Sequence, residues 1–401
     1  MLRAALACAA VLVCALLPAA ASAAPRELLV AHADGRLTVE RPGAARAASA
    51  RGRVRFVEPN FRYRAAGVAP PSDELFSEQW PLADARVGVQ SAWAVTRGGA
   101  VTVAVIDTGA DLDHPDLRDN LWTNPREVPG NGADDDGNGF VDDVHGADVV
   151  NRDGDPSDDN GHGTHVAGIV AARGANRVGV TGVAQRARIM VVKALGADST
   201  GTALTMAEAV RYAVANGARV INMSVSGPGR SLAFEEAVQA ASDAGALLVA
   251  AAGNSGRDLD ADPEYPASFT ARHLLAVAAT GRTGRLLGLS NRGEGTVDVA
   301  APGQSVISTA SDGDYEYRTG TSMAAPHVAG ALVLLAAARP DLGAGELQDA
   351  LLAGARRGPA GANASLDVAG AMRRVVSASR WRAAVRGGSV RGASKRAKRR
   401  R

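Results

Sequence analysis

The run Val103-Ala-Val-Ile-Asp107-Thr-Gly109 joins four apolar residues to an acid and a turn. Short apolar runs bounded by turn residues are typical of buried strands. Runs of the same kind recur along the chain at 101–106, 188–193, 219–223, 246–251 and 274–277. Alanine-rich stretches of helical length lie between them, at 205–216 and 232–244. This alternation predicts an α/β fold of three layers, in which a mostly parallel central sheet is flanked by helices.

Asp107 follows directly on one of these strands. In sheets of this kind, active sites lie beyond the carboxyl ends of the strands, so Asp107 is a candidate catalytic residue. An aspartate after a strand is also common as a turn residue or a helix cap. The strand alone therefore does not assign its role.

Two further motifs place reactive side chains at the start of small-residue helices. Residues 160–168 read Asn-Gly-His-Gly-Thr-His-Val-Ala-Gly, and residues 320–330 read Gly-Thr-Ser-Met-Ala-Ala-Pro-His-Val-Ala-Gly. Two histidines three apart can bind zinc on a helix, but the glutamate of a zinc-protease motif is not between them. A serine hydroxyl is a poor nucleophile at neutral pH unless a base activates it. The motifs supply such a base in His162 and a hydroxyl in Ser322.

Together these segments resemble the subtilisin-like serine proteases, the subtilases or peptidase S8 family, over residues 79–371. The order Asp, His, Ser along the chain is the order of subtilisin. The resemblance implies a serine endopeptidase that works through an acyl-enzyme intermediate. It assigns the catalytic triad to Asp107, His162 and Ser322.

The segment 250–256, Ala-Ala-Ala-Gly-Asn-Ser-Gly, matches the family segment whose asparagine donates a hydrogen bond to the oxyanion. Taken alone, an asparagine between small residues can equally be a left-handed turn residue. The resemblance implies that Asn254 is an oxyanion donor, together with the backbone N–H of Ser322. It gives the second histidine of each motif, His165 and His327, a structural role.

The resemblance also implies that a peptide substrate is added as an extended strand between two edge segments. The matching residues are Ser199, Thr200 and Gly201 on one side and Ser224, Val225 and Ser226 on the other. The family more often has glycine where Ser226 stands. Glu264 aligns with the base of the pocket for the residue before the cleaved bond, where a carboxylate favours Lys or Arg. The alternative is that the variable loop before Glu264 places it in solvent.

An acidic loop at 134–143 is a candidate calcium site. It puts oxygen-bearing groups at alternate positions with glycine at the sixth, as an EF-hand loop does. His145 stands at the twelfth position, where an EF-hand has glutamate. The loop is therefore predicted to be a shortened Ca²⁺ site or, alternatively, a solvated acidic surface. The candidate ligands are Asp134, Asp136, Asn138, Phe140 and Asp142.

Two more calcium sites are implied by the resemblance. One, found in thermitase-like members before the catalytic histidine, corresponds to Asp148, Asp153 and Asp155. The other is shared across the family and corresponds to Gln79, Asp116, Asn176 and the carbonyls of Val178 and Val180. Asn151, usually acidic in the first site, and Arg177, inside the loop of the second, depart from the family pattern.

The N-terminal residues 1–23 carry Arg3, an apolar run and a final Ala-Ser-Ala, which together predict a cleaved signal peptide and a secreted protein. A membrane-spanning helix is the alternative, but the run is shorter than the roughly 20 residues that a bilayer requires. Both cysteines, Cys8 and Cys14, lie in this segment. The predicted mature protein therefore has no disulfide, and bound calcium is a plausible substitute.

The remaining boundaries follow composition. Residues 24–71, with strand-like runs at 27–30 and 53–57, are predicted to be a short pro-segment, and 72–373 the peptidase domain. Residues 374–401 are expected to form a disordered basic tail, because the last 22 residues contain ten Lys or Arg and no acid, although the net charge of the chain is +2. The tail's single aromatic, Trp381, argues against specific nucleic-acid binding.

The expected partners are polypeptide substrates, the chain's own pro-segment and, through the tail, an anionic cell surface. We expect a monomer. The competing hypothesis is a non-catalytic surface-binding protein that keeps the protease fold.

Overall fold

The computed structural model describes residues 28–32, 34, 36–41, 54–59, 70–99 and 101–387. The predicted signal peptide lies outside these residues, as does the end of the basic tail from 388. The chain divides into two compact units, Met1–Ala65 and Ala66–Arg401.

The first unit contains a three-stranded antiparallel sheet in the order β2-β1-β3. Its strands are β1 (Leu28–His32), β2 (Leu37–Glu40) and β3 (Val54–Pro59). Val30 and Ala31 of the central strand are buried, whereas Leu37, Val39 and Phe56 are exposed. Two of these strands were expected within the predicted pro-segment. The four-residue β2 was not, because its alternation is too short to stand out.

The second unit is built on a nine-stranded sheet in the order β13-β14-β10-β9-β8-β7-β4-β6-β5. Neighbouring strands are parallel, except for the antiparallel pair β13 and β14. A separate antiparallel ribbon joins β11 and β12. The strands are β4 (Thr102–Asp107), β5 (Gly146–Asp148), β6 (Arg188–Lys193), β7 (Val220–Met223), β8 (Leu247–Ala251), β9 (Leu274–Thr280), β10 (Val299–Pro302), β11 (Val306–Thr309), β12 (Tyr315–Arg318), β13 (Arg356–Arg357) and β14 (Ala364–Ser365).

Helices cover both faces of this sheet. They are α1 (Trp80–Ala83), α2 (Val89–Trp93), α3 (His162–Ala171), α4 (Ala203–Ala215), α5 (Leu232–Asp243), α6 (Thr321–Ala338), α7 (Ala344–Gly354), α8 (Val368–Val375) and α9 (Ala378–Gly387). Alternate residues of β4 point to opposite faces. Val103 and Val105 pack in a core cluster with α3 and α6, whereas Ala104 and Ile106 pack in a second cluster with α4 and α5. The predicted three-layer α/β fold with a mostly parallel sheet is confirmed.

The longest helix, α6, is the centre of one layer. By length and hydropathy it resembles a membrane-spanning segment, the single helix to do so in the part of the chain that the structure describes. However, 89% of its apolar stretch is buried inside the fold. It is therefore a core helix whose apolar surface is covered by the sheet and its neighbours.

The C-terminal segment corrects one expectation. Most residues of the predicted disordered tail up to 387 are helical, since they form the end of α8 and the whole of α9. Val375 is buried, and Trp381 packs against the core with the Arg373 guanidinium 5.5 Å from its ring centre. The sequence did not predict this packing of Val375 and Trp381, because the many arginines around them indicated a solvated tail.

The order of the strands places the site. The chain passes from β4 to β6 on one side of β4 and then to β7 on its other side. Such a reversal opens a crevice at the carboxyl ends of the strands. Asp107, the last residue of β4, lies at this crevice.

Candidate active site

Asp107 and His162 are joined by a hydrogen bond at the crevice. His162 Nδ1 donates to Asp107 Oδ1 at 2.6 Å, and the backbone N–H of Thr108 donates to the same oxygen at 2.8 Å. Asp107 is fully buried, whereas the His162 side chain keeps 21% of its surface exposed. Burial acts to lower the pKa of His162, but the charge of Asp107 and its hydrogen bond outweigh it and raise the pKa above the ordinary value. The contact fixes Nδ1 as the protonated nitrogen and leaves Nε2 to accept a proton.

The close approach of α3 to the end of β4 depends on glycine. A Cβ on Gly163 would lie 2.1 Å from the carbonyl oxygen of Gly109, so no larger residue fits. The backbone N–H of Gly163 donates to Thr108 Oγ1 (2.8 Å), and that hydroxyl donates to Asp158 Oδ1 (2.8 Å). Asp158 also accepts from Thr164, at the first turn of α3. These bonds hold the helix that carries His162 against the turn that carries Asp107.

Ser322 lies in the first turn of α6 and is tied to the segment after β7. Its hydroxyl donates to the carbonyl of Ser224 at 3.1 Å, and the Ser224 hydroxyl donates to the carbonyl of Ser322 at 2.9 Å. Asn222 Nδ2 donates to the Ser224 hydroxyl at 2.9 Å. Since a hydroxyl has one hydrogen, Ser322 in this rotamer does not donate to His162.

Asn254 is exposed beside the start of α6. Its Oδ1 accepts from the backbone N–H (2.9 Å) and the hydroxyl (3.1 Å) of Thr321, the residue before Ser322. These two donors fix the orientation of the amide, since only an oxygen can accept both. Nδ2 is thereby left to donate to another acceptor.

The two remaining motif histidines are buried away from this centre. His165 Nε2 lies 3.1 Å from the carbonyls of Val306 and Glu316, and His327 Nδ1 lies 2.8 Å from the carbonyl of Met323. Burial lowers the pKa of His165 to about 3 and that of His327 to about 4. Both are neutral donors to backbone, as their expected structural role requires.

The two predicted substrate edges line one cavity of about 450 Å³, together with His162. Ser199, Thr200 and Gly201 form one wall and Ser224, Val225 and Ser226 the other. The rest of the lining is largely apolar and includes Leu195, Met206, Phe234 and Tyr265. Tyr265 exchanges backbone hydrogen bonds with Gly227 at 2.8 and 2.9 Å, which extends the second wall.

Glu264 lies outside the lining of that cavity and is buried, with 5% of its surface exposed. A Cβ on Gly253, which has φ of 101°, would lie 2.3 Å from Glu264 Oε2 and 3.1 Å from the hydroxyl of Ser226. Glu264 Oε1 is 3.7 Å from Arg257 Nε. The alternative that the loop leaves Glu264 in solvent is thus wrong. Its carboxylate is under the segment that carries Asn254, with a basic partner that the sequence did not suggest.

The acidic loop brings three carboxylates together. Oxygens of Glu127, Asp134 and Asp136 lie within 4.8 Å of one another, the one such group among the described residues. Glu127 Oε2 is buried without a hydrogen-bond partner. Burial, with the charges of Asp143 and Asp135, raises the pKa of Glu127. An orphaned carboxylate oxygen beside two further carboxylates fits a hard cation such as Ca²⁺.

The other residues predicted for this loop stabilise its turns. The Asp142 carboxylate accepts from the backbone N–H groups of Gly130, Asn131 and Gly132. Asn138 Oδ1 accepts from the N–H of Phe140, whose ring packs edge-on against Tyr212 at 5.6 Å. EF-hand spacing does not predict Glu127, because this residue lies before the loop in sequence.

Asp148, Asp153 and Asp155 do not converge in this way. Asp148 accepts from the N–H groups of Val150 and Asn151 and from the Asn151 side chain, while Asp155 accepts from Ser157. Asp153 accepts from the N–H of Asp155 at 3.0 Å. Each carboxylate therefore accepts hydrogen bonds from the backbone of its own turn.

The family-type calcium set does not fit an ion as predicted. Both polar atoms of the Gln79 side chain bond to the backbone of Thr181, at 2.8 Å each. Asp116 accepts from Asn176 Nδ2 (2.6 Å), from the N–H of Val180 (2.9 Å) and from the Tyr315 hydroxyl (2.9 Å). Donor hydrogens therefore surround Asp116, where a calcium site needs converging oxygens.

Asp73 is the acidic residue that contacts the predicted calcium loop around Asn176 from the N-terminal side of the chain. It accepts from the N–H groups of Ala175 (2.9 Å) and Asn176 (3.2 Å), and burial raises its pKa. Gln79, predicted as a ligand from its place near the mature N-terminus, bonds to the backbone of Thr181 instead. Val178 is partly exposed and donates its N–H to Asn176 Oδ1.

Comparisons with known proteins agree with this geometry. A family model described as peptidase S8, the subtilase family, matches residues 98–371. A thermophilic serine proteinase of Bacillus sp. strain AK1 is 38% identical over 284 residues, 71% of this chain and 63% of the relative. Thermitase of Thermoactinomyces vulgaris is 36% identical over 266 residues, 66% of this chain and 85% of thermitase.

Among solved structures, a protease from Pseudoalteromonas arctica PAMC 21717 superimposes with a TM-score of 0.66 at 31% identity, covering 77% of this chain and all of that one. The chain spans less than two thirds of the length of the Bacillus relative. The region that the family model matches carries Asp107, His162 and Ser322. The chain belongs to the subtilase family.

Proposed function

We propose that this chain is a secreted serine endopeptidase that hydrolyses polypeptides through Asp107, His162 and Ser322. The observation that carries the proposal is the 2.6 Å contact between His162 Nδ1 and the buried Asp107 carboxylate. Acyl transfer requires a buried carboxylate that orients a partly exposed imidazole, and a serine nucleophile near that imidazole. The crevice holds the first two, and it also holds a serine at a helix start.

In this mechanism the Ser322 hydroxyl attacks the scissile carbonyl and His162 Nε2 takes its proton. Asp107 holds the imidazole orientation and stabilises the imidazolium that forms. The imidazolium then gives the proton to the leaving amine, and an acyl group remains on Ser322. A water molecule, deprotonated by His162, hydrolyses that ester and frees the enzyme.

The oxyanion of the tetrahedral intermediate is assigned to two donors, Asn254 Nδ2 and the backbone N–H of Ser322. The anchoring of Asn254 Oδ1 on Thr321 supports this, because it turns Nδ2 outward and connects the donor to the residue next to the nucleophile. A preorganised donor stabilises charge that appears in the transition state. Before attack, the Ser322 hydroxyl has to turn from the Ser224 carbonyl toward His162.

The substrate is an extended peptide between residues 199–201 and 224–226. Support comes from the single cavity that both segments line with His162. Leu195, Met206 and Phe234 give that cavity an apolar wall, which favours a large apolar side chain on the acyl side of the substrate.

For the residue before the cleaved bond, we assign Glu264 as the charge at the base of the pocket. Its closeness to Gly253 and Ser226 supports this position. The Arg257 guanidinium at 3.7 Å reduces the attraction for a substrate Lys or Arg. We therefore expect only a weak preference for Lys or Arg at the substrate residue before the cleaved bond. A strong preference for Leu or Phe peptides over Arg peptides would contradict it.

We assign structural Ca²⁺ to the cluster of Glu127, Asp134 and Asp136. The unpartnered, buried oxygen of Glu127 supports the assignment. Bound to these carboxylates, the ion would neutralise their repulsion and clamp the acidic loop. It takes no part in the chemical steps.

The proposal has four further parts. A signal peptide at 1–23 directs export, and a pro-segment at 24–71 is released. The basic C-terminal end attaches to an anionic cell surface, and the protein is a monomer. The absence of cysteine after Cys14 agrees with an exported protein that uses ions in place of disulfides. Hydrolysis of an unfolded protein by the wild-type chain and by Ser322→Ala tests the proposed activity. Equal hydrolysis by both, or binding without hydrolysis by the wild type, would contradict it and favour the non-catalytic alternative.

A further inference from the structure

A lysine side chain is buried among the loops of the active site. Lys193 ends β6, opposite Asp107 in the register of β4, and 2% of its side chain is exposed. A buried ammonium is strongly destabilising unless partners compensate it. Its Nζ donates to the carbonyl of Thr108 (2.9 Å), to Asp159 Oδ1 (2.6 Å) and to the carbonyl of Leu195 (3.0 Å). These bonds use all three donors of the ammonium.

The three acceptors belong to three different parts of the site. Thr108 follows Asp107 in the chain, and Asp159 precedes His162 by three residues. Leu195 lines the substrate cavity. One side chain therefore joins the turn of the catalytic aspartate, the loop of the catalytic histidine and a wall of the substrate cavity.

The charges of this pair are not equivalent. Lys193 is buried, whereas 48% of the Asp159 side chain is exposed to water, which screens its charge. The buried cation therefore acts on the site more strongly than its partner does. The strongest charge effects on His162 come from Asp107, Arg318 and Asp158, and His165 is a further titratable neighbour.

We propose that Lys193, paired with Asp159, is a positioning residue of the proposed reaction. It sets the spacing of the Asp107 turn and the His162 loop, and it supplies a positive field that opposes imidazolium formation in the resting enzyme. The inference rests on the proposed function, which does not itself assign any role to Lys193 or Asp159.

The test compares Lys193→Met, which removes the cation at similar volume, with Asp159→Asn, which removes the anion and keeps an acceptor. Lys193→Met should move the acidic limb of the kcat/KM profile to higher pH, by about half a unit, because loss of a cation favours the imidazolium. Asp159→Asn should move it to lower pH. Arg211→Met is the control, because it removes one positive charge from an exposed position on α4. It should leave the acidic limb of the kcat/KM profile unchanged.

Lys193→Met should also lower kcat about tenfold with a smaller change in KM, since a misplaced base slows chemistry more than binding. An NMR titration of the His162 ring in the Ser322→Ala background reads the same shifts without any activity. It therefore separates failure of this inference from failure of the proposed function. If Lys193→Met does not fold, half-exposed Asp159→Asn carries the test. Unmoved His162 titration in a folded variant overturns the proposal.

Discussion

Ser322 and Ser224 exchange hydrogen bonds, because the hydroxyl of each donates to the backbone carbonyl of the other. Ser322 donates to the Ser224 carbonyl at 3.1 Å, and Ser224 donates to the Ser322 carbonyl at 2.9 Å. The proposed nucleophile is thus joined to one wall of the proposed substrate cavity. Asn222, which donates to the Ser224 hydroxyl from β7, supports the pair from inside the sheet.

Ser224→Ala should lower kcat/KM about tenfold. The change removes a hydrogen bond of about 1 kcal/mol and leaves the buried Asn222 amide without its acceptor, so the start of α6 loses its anchor. Steady-state kinetics with a peptide substrate measure the effect. Exposed Ser377→Ala is the control, and equal rates for the two variants would show that the exchanged pair is irrelevant.

The pH dependence should follow His162. Only neutral imidazole accepts the proton of Ser322, and Asp107 raises the pKa of His162 above its ordinary 6.5. The kcat/KM value should therefore rise with pH with a midpoint above 6.5. In Asp107→Asn the midpoint should fall and kcat should drop by about 10⁴. A midpoint unchanged by the substitution would contradict the role of Asp107.

Asn254→Ala should reduce kcat by about 10² to 10³ and leave KM close to the wild-type value, because the donor acts on charge that develops in the transition state. The lost acceptor for Thr321 also has a structural effect, so the melting temperature is measured alongside. A variant in which KM rises and kcat is unchanged would place Asn254 in substrate binding instead.

Removal of calcium should destabilise the acidic loop. A chelator is expected to lower the melting temperature of the wild-type chain, because an ion that binds only the folded state stabilises it. Glu127→Gln should abolish most of this difference, whereas exposed Glu236→Gln on α5 should preserve it. No effect of chelator on the wild type would count against calcium at Glu127, Asp134 and Asp136.

Arg257→Ala should sharpen selectivity at the residue before the cleaved bond. Without the guanidinium 3.7 Å away, Glu264 should attract substrate Lys or Arg more strongly. The ratio of kcat/KM for matched Arg and Phe peptides is expected to rise several-fold, a change of about 1 kcal/mol. Exposed Arg285→Ala removes the same charge elsewhere, and an identical change in both variants would indicate a general charge effect.

The fold was predictable because it follows from local patterns. The strands at 188–193 and 274–277 and the helix at 232–244 read directly from apolar runs and alanine-rich stretches, and the structure reproduces them as β6, β9 and α5. Family motifs added the order Asp, His, Ser. The pairing of β4 with strands on both sides brought these distant residues to one crevice.

The contacts between loops were not predictable in the same way. Glu127, Asp73 and Lys193 act through partners that are near only after folding, at no fixed spacing from the motifs. The calcium predictions from EF-hand spacing and from the family site therefore included Asp142, which stabilises a turn, and Gln79, which bonds to the distant backbone of Thr181. The order of the basic C-terminal end was not predictable for a related reason, since Trp381 meets its packing partners only in the folded chain.

The proposed activation of Ser322 is tested most directly by a mass measurement after reaction with a serine-directed phosphonylating probe. One adduct is expected, located on Ser322 of the wild-type chain, and labelling should be much slower in folded His162→Ala. Ser322→Ala should give no adduct. Labelling of another residue, or of Ser322 at equal rate without His162, would contradict the proposed activation of Ser322 by Asp107 and His162.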